Sequence, residues 1–279
     1  MEFPRPQWFA RGRLIIDDRP IIMGIVNVTP DSFSDGGRSF GHDDALNHAL
    51  RLIDEGADVL DVGGESSRPG ADVVPLAEEL RRVIPLVATL RNHTQVPISI
   101  DTTKAEVARQ ALLAGADIIN DITALGDPLM AEVIVKFQAA LVLMHMPGTP
   151  QTMQAHAHYQ DVTHEVLTYL QNRVDHAMAL GVPRSAIAID PGIGFGKTTE
   201  HNLELLRQTS QFAALLFPVL IGTSRKGFLG TLTGRDVSGR VTASVVSSLL
   251  AVDRGALMVR VHDVGPMRDA LRIWIAYQG

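Results

Sequence analysis

Gly115-Ala116-Asp117-Ile118-Ile119-Asn120 reads as a helix end, a tight turn and a short buried strand that stops at an amide. Glycine suits the position just past a helix C-terminus, where φ is positive. The paired isoleucines suit a strand covered on both faces. The same phrase occurs twice more. Gly56-Ala57-Asp58-Val59-Leu60-Asp61 stops at a carboxylate and Gly255-Ala256-Leu257-Met258-Val259-Arg260 at a guanidinium, each polar residue five positions after its glycine. A repeated helix–turn–strand unit is the pattern of a parallel sheet whose strands are joined by helical crossovers.

Working outward from these units, eight strand runs follow one another: Ile21–Asn27, Val59–Val62, Ile98–Asp101, Ile118–Asp121, Ala140–His145, Ala188–Asp190, Val219–Gly222 and Met258–Val261. Amphipathic segments lie between them. Leu46, Ala49, Leu50 and Ile53 make one helical face, Thr103 and Glu106 read as a capping box, and Val264, Met267, Leu271, Trp274 and Ile275 form the inner face of the last helix. No low-complexity linker interrupts the series, so residues 1–279 are expected to form a single (β/α)8 TIM barrel domain, with an open doubly wound sheet as the alternative. Leu14–Ile16, with Asp17-Asp18-Arg19-Pro20 as its turn, is expected to form a short N-terminal β-hairpin at the barrel floor.

Composition narrows the partners. Of 279 residues, 46% are hydrophobic and 20% charged, enough apolar material for a sizeable core. The net charge of -6 disfavours nucleic acid and anionic membrane surfaces, while leaving room for a local basic pocket. The absence of cysteine excludes disulfides and thiolate metal sites. The opening Met1-Glu2-Phe3-Pro4-Arg5-Pro6 lacks signal-peptide architecture and no apolar run approaches membrane-spanning length, so a cytoplasmic protein is expected.

Polar residues collect where the strands stop. Asn27, Asp101, Asn120, Asp121, His145, Asp190, Arg260 and His262 all fall at or just past a strand's C-terminal end, and in a parallel barrel those ends share the face that carries active sites. The loops after the first two strands, Asn27 to Gly37 and Gly63 to Gly70, are polar and glycine-rich, and read as lids. Asp190-Pro191-Gly192-Ile193-Gly194-Phe195-Gly196-Lys197-Thr198 ends like a nucleotide-binding P-loop but has Pro191 where that pattern needs glycine. A glycine turn that lets backbone approach a flat ligand, rooted at Asp190, is the better account. Gly222-Thr223-Ser224-Arg225-Lys226-Gly227 offers N–H groups, hydroxyls and two cations to an anion, with Arg260 and His262 adding positive charge nearby. His156, His158 and His164 lack metal-ligand spacing and are read as solvated surface; His48 and His176 sit on helical stretches and are read as ordinary.

These blocks resemble the dihydropteroate synthase family. The matching stretches are Met23 to Gly37, Asp61 to Gly70, Ile119-Asn120-Asp121, Met144-His145-Met146, Asp190 to Lys197, Gly222 to Lys226 and Arg260 to Asp263, in family order. One departure is Ser67, where many members carry threonine. The resemblance implies a barrel enzyme, usually a homodimer, that joins 6-hydroxymethyl-7,8-dihydropterin diphosphate to 4-aminobenzoate with loss of pyrophosphate. It places Asp101, Asn120, Asp190 and Lys226 on the pterin, with Met144 and Phe195 against the ring. Arg68, Arg260, His262 and Asn27 fall on the diphosphate, with Mg2+ at Asn27 and the Asp35 loop. Ser224 and the helix start behind it fall on the benzoate carboxylate, and Phe33, Pro69, Phe195 and Lys226 around its ring. Ser67 and Gly222 belong to the substrate-contacting motifs, and Asp101, Asp190, Lys226 and Arg260 are the residues expected to act in catalysis. Two alternatives remain: the pterin-binding barrel of a methyltransferase, and a paralogue that has kept the pocket without catalysis.

Overall fold

The computed structural model describes residues 6–17, 19–28, 40–68 and 70–279. Phe33, Pro69 and the Asp35 loop therefore lie outside the described residues. A two-stranded antiparallel sheet, β1 (Trp8–Ala10) and β2 (Arg13–Ile16), precedes eight parallel strands. These are β3 (Ile21–Asn27), β4 (Val59–Gly63), β5 (Ile98–Asp101), β6 (Ile118–Asp121), β7 (Ala140–Met144), β8 (Ile187–Asp190), β9 (Leu220–Ile221) and β10 (Met258–Val261). Helices fill the crossovers: α1 (Phe40–Asp54), α2 (Leu76–His93), α3 (Ala105–Ala114), α4 (Met130–Phe137), α5 (Val162–Ala179), α6 (Thr199–Arg207), α7 (Thr209–Ala213), α8 (Gly227–Thr233) and α9 (Val241–Asp253). α10 (Val264–Gln278) follows the last strand.

The strand order β8-β7-β6-β5-β4-β3-β10-β9 closes on itself. Ile189 bridges to Val219 in parallel and its N–H donates to the Pro218 carbonyl at 2.9 Å, which excludes the open doubly wound sheet. The strand boundaries match the sequence reading to within a residue or two.

The glycine phrase has a second half that sequence reading did not anticipate. Gly56 and Gly115 take φ of 101° and 113°, and the N–H of the residue after each glycine reaches back to the last turn, Ala57 to Leu52 and Ala116 to Ala111, both at 2.9 Å. The following aspartate then ties two strands together. Asp117 accepts the Ile98 N–H at 3.0 Å and Arg91 Nη2 at 2.7 Å, while Arg91 Nε donates to the Gly115 carbonyl at 3.0 Å. Asp58 repeats this with the Ile22 N–H at 2.9 Å and with Arg268, whose Nε donates to the Gly56 carbonyl at 3.1 Å. These clamps sit at strand starts, the barrel end concerned with stability.

Inside the barrel, Ile21, Met23, Val59, Ile118, Val142 and Met258 form an apolar plug, closed from below by the fully buried Trp8, whose Nε1 donates to the Ala186 carbonyl at 2.9 Å. The hairpin at the floor is as expected, but its turn is Arg11-Gly12, not Asp17-Pro20. Arg11 (φ 51°) and Gly12 (φ 74°) both adopt the left-handed region, as two-residue hairpin loops require. Arg11 is held there by its side chain on the Ala116 carbonyl at 3.0 Å. The segment after it, which includes Asp17, leads into β3.

Three helix readings are corrected. No capping box opens α3: Glu106 is taken by Arg109 at 2.7 Å, and Asp127 accepts the Ala105 N–H at 2.9 Å instead. The deepest face of α1 is Ala45, Ala49 and Leu52, with Leu46 and Ile53 on its flank. Ile275 of α10 is 43% exposed, because Val264, Met267 and Leu271 already complete the stripe that meets the barrel.

Candidate active site

Strand side chains alternate between the barrel interior and the helix layer, so parity sorts the polar strand ends. Asp61, Asp101, Asn120, Asp190 and Arg260 share the inward parity of the apolar plug. Asp121 and His145 have the opposite parity and leave the site. Asp121 folds back on its own loop, accepting the Leu125 N–H at 2.7 Å and the Thr123 hydroxyl at 2.6 Å. His145 packs edge-on to Tyr169 with ring centres 4.8 Å apart.

Arg260 organises one side of the mouth. Its Nε donates to Asp61 Oδ2 at 2.5 Å and its Nη2 to Asp101 Oδ2 at 2.8 Å, while Asn120 Nδ2 donates to the same Asp61 oxygen at 3.1 Å. Burial pushes the Asp101 carboxyl up, opposed by Arg260 and reinforced by the charge of Asp61. Asp61 is fully buried and was absent from the sequence-based site. Its sequence signal is its place: Asp61 ends the glycine phrase at the register occupied by Asn120 and Arg260 in the other two copies.

The opposite side is built on the turn after β8. Asp190 Oδ1 accepts the Gly192 N–H at 2.7 Å, and burial pushes its carboxyl up against the pull of Lys226. Gly192 has φ 70°, and a Cβ there would lie 1.9 Å from the His145 carbonyl oxygen. The glycine spacing thus serves close packing of the turn on its own protein. Lys226 Nζ donates to the Ile193 carbonyl and lies 4.5 Å from the centre of the Phe195 ring; burial lowers its ammonium to about 8. Lys197, the residue that made the turn look like a P-loop, is buried: its Nζ donates to the Phe195 carbonyl at 2.9 Å and lies 3.0 Å from His145 Nδ1. It anchors the turn to the end of β7. Met144, Met146, Met153 and Ile122 form an apolar patch with Phe195. Gly222 joins the two sides, since a Cβ there would lie 3.8 Å from both Arg260 Cβ and Lys226 Nζ.

Towards the rim, Ser224 Oγ lies 3.0 Å from His262 Nδ1 and accepts the His262 N–H at 3.1 Å. Burial, with Arg260 and Arg225 nearby, lowers His262 to about 4, so it is neutral at pH 7 and does not supply the positive charge read from sequence. Arg225 is ion-paired: its Nε and Nη2 donate to Asp263 at 3.0 and 2.6 Å. Asn27 ends β3 beside Gly63, whose own register partner is Asp101. Ser67 is half-buried and Arg68 exposed on the loop after β4. That loop's root is held by Lys104, which pairs with Glu65 and with fully buried Glu79, itself accepting from the Thr102 hydroxyl at 2.6 Å. Lys104 and Glu79 carried no motif signal. Among the described residues no group of three or more His, Asp or Glu side chains is placed to hold a metal ion, and His156, His158 and His164 are exposed.

The pterin binding enzyme family model matches residues 23–262. A dihydropteroate synthase of Neisseria meningitidis is 48% identical over 278 residues, covering 98% of each chain. The Xanthomonas albilineans dihydropteroate synthase structure with 4-aminobenzoic acid is 48% identical, with a TM-score of 0.92 over 99% of both chains. The same organism's enzyme in complex with 7,8-dihydropteroate superposes with a TM-score of 0.89 at 46% identity, over 98% of this chain and 99% of that one. The chain belongs to the dihydropteroate synthases, within the pterin binding enzyme family.

Proposed function

We propose that the mouth of this barrel joins 6-hydroxymethyl-7,8-dihydropterin diphosphate to 4-aminobenzoate, giving 7,8-dihydropteroate and pyrophosphate. The observation that carries the reading is the 2.8 Å contact between Arg260 and Asp101, because it puts an anion-grasping cation and a pterin-reading carboxylate in one hollow. Asp101, Asn120 and Asp190 present acceptors to the donor edge of the pterin, and Lys226 donates to its ring acceptors. Met144 and Phe195 cover the ring. Arg260, Arg68, Asn27 and neutral His262 receive the diphosphate, with the guanidinium fork suited to phosphate oxygens. Ser67 lies beside Arg68 on the same loop, and Gly222 keeps the space between Arg260 and Lys226 open. Ser224 takes the benzoate carboxylate, while Phe33, Pro69 and Phe195 clasp its ring.

The residue types fit a dissociative substitution. Arg260 stabilises charge growing on the leaving oxygen as the C–O bond breaks. Asp101 and Asp190, where ionised, favour the methylene cation left on the pterin. The arylamine nitrogen then bonds to that carbon and loses its proton to solvent or departing pyrophosphate. The loops after β3 and β4 exclude water from the cation. A Mg2+ ion belongs to this proposal: the Asn27 amide oxygen is a hard donor, and Mg2+ takes few protein ligands beside phosphate oxygens and water. Bound there, it would neutralise charge on the leaving pyrophosphate.

Residues 1–279 act in this proposal as a single barrel domain in a cytoplasmic homodimer that binds neither nucleic acid nor membrane. An acidic, cysteine-free composition supports the setting, and no helix among the described residues is long and apolar enough to cross a membrane. Leu232 of α8 and Val246 and Leu250 of α9, each 51–52% exposed, line one apolar groove and support a dimer face there. The deciding experiment is pyrophosphate release with purified protein and Mg2+. Release that requires both substrates is expected. Binding of pterin without release would instead mark a binding module or an inactive paralogue.

A further inference from the structure

We propose that Asp61 is a positioning residue that keeps the Arg260 fork split, so that only one of its N–H groups rests on Asp101 and the other Asp101 oxygen stays open to the pterin edge. The inference rests on the reading above, in which Asp101 meets the pterin and Arg260 the diphosphate.

Asp61 has none of the usual structural duties of a buried carboxylate. Its partners are two side chains of the site: Arg260 Nε and Asn120 Nδ2 both donate to Oδ2, while Oδ1 is buried and accepts no hydrogen bond from the described residues. By contrast, Asp58 and Asp117 each take a backbone N–H and stitch strands. A fully buried ionised carboxylate with no backbone partner is costly unless an adjacent cation compensates it. Arg260 is that cation.

The register explains the division of labour. Asp101 lies opposite Gly63 on β4, and Asp61 lies opposite Ser99, so Asp61 is one inward-facing layer deeper than Asp101. The Arg260 fork spans the two layers, Nε on the deeper carboxylate and Nη2 on the upper one. A guanidinium closes with two parallel N–H groups on a single carboxylate when it can. With the Asp61 charge removed, the fork would close on Asp101 and compete with the pterin N–H groups for the same oxygens. Asp61 keeps the fork split. It also accepts from Asn120, so a single oxygen orients a pterin-reading amide and the diphosphate-holding cation together.

The test is titration of full-length protein with 6-hydroxymethyl-7,8-dihydropterin, which carries no diphosphate. Asp61→Asn keeps the shape and an acceptor for Asn120 but removes the charge. Its Kd for this pterin should rise about tenfold, within the range of couplings between contacting residues. Adding Arg260→Gln should bring the Kd back to within about threefold of wild type, because the competing fork is gone. A merely structural role for Asp61 predicts no such recovery. Wild-type affinity in Asp61→Asn overturns the proposal, and so does a double variant that binds as weakly as Asp61→Asn. Should Asp61→Asn fail to fold, the double variant is compared with Arg260→Gln alone: equal pterin affinity supports the proposal and a further loss overturns it. Wild-type protein that binds no pterin would overturn the functional reading, and this inference with it.

Discussion

Lys226 shows how one side chain sets a pH limit. Burial lowers its ammonium to about 8, so it is charged below that pH and progressively neutral above it. The limiting form of kcat/KM reports the free enzyme, so kcat/KM for the pterin diphosphate should fall as pH rises through about 8. Lys226→Arg should be slower, because a planar fork replaces a point charge, yet lose that alkaline limb. An unchanged limb in the arginine variant would remove Lys226 from the profile. Asp101 makes a second prediction. If it stabilises the developing cation, Asp101→Ala should lower kcat by ~10²–10³ while changing pterin affinity less. Single-turnover kinetics beside pterin titration separate the two, and normal turnover would reject the role.

At the scale of elements, the β1–β2 hairpin lies at the end of the barrel opposite the strand ends that carry Asp101, Asn120 and Asp190. Trp8 fills the floor with its whole side chain and satisfies its N–H on Ala186. Trp8→Ala should therefore cost about 3–5 kcal/mol, as deletion of a buried aromatic does. Urea unfolding measures that loss. Turnover per folded molecule should be unchanged, since the floor carries no site residue; a matching fall in kcat would show that the two ends are coupled. The turn after β8 is the reverse case, an element whose glycines exist to bring Asp190 and Phe195 against Lys226 and the end of β7.

For the molecule as a whole, closure matters most. Lys226 follows β9, the neighbour of the Arg260 strand, and only when β8 meets β9 through Ile189 and Val219 does Asp190 come round beside it. The outer surface carries its own expectation. If the proposed homodimer forms through the apolar groove, introducing charge there with Val246→Glu and Leu250→Glu should shift it to monomer, because buried interface cores exclude unpaired charge. Light scattering on the eluted peak reads the mass directly, and a variant that stays dimeric would move the interface elsewhere.

Strand positions, their order along the chain and most of the polar residues near their ends were legible, because a glycine stop and a β-branched run are local instructions that need no partner. The family motifs made the chemistry legible too. What needed the folded barrel was everything set by facing direction and shared partners. Parity removed Asp121 and His145 from the mouth, burial lowered His262 to about 4, and Asp263 paired with Arg225. Asp61 became central only when Arg260, 199 positions later, closed on it. Such facts arise from alternation around a closed cylinder and from desolvation, and both depend on contacts between residues far apart in the chain.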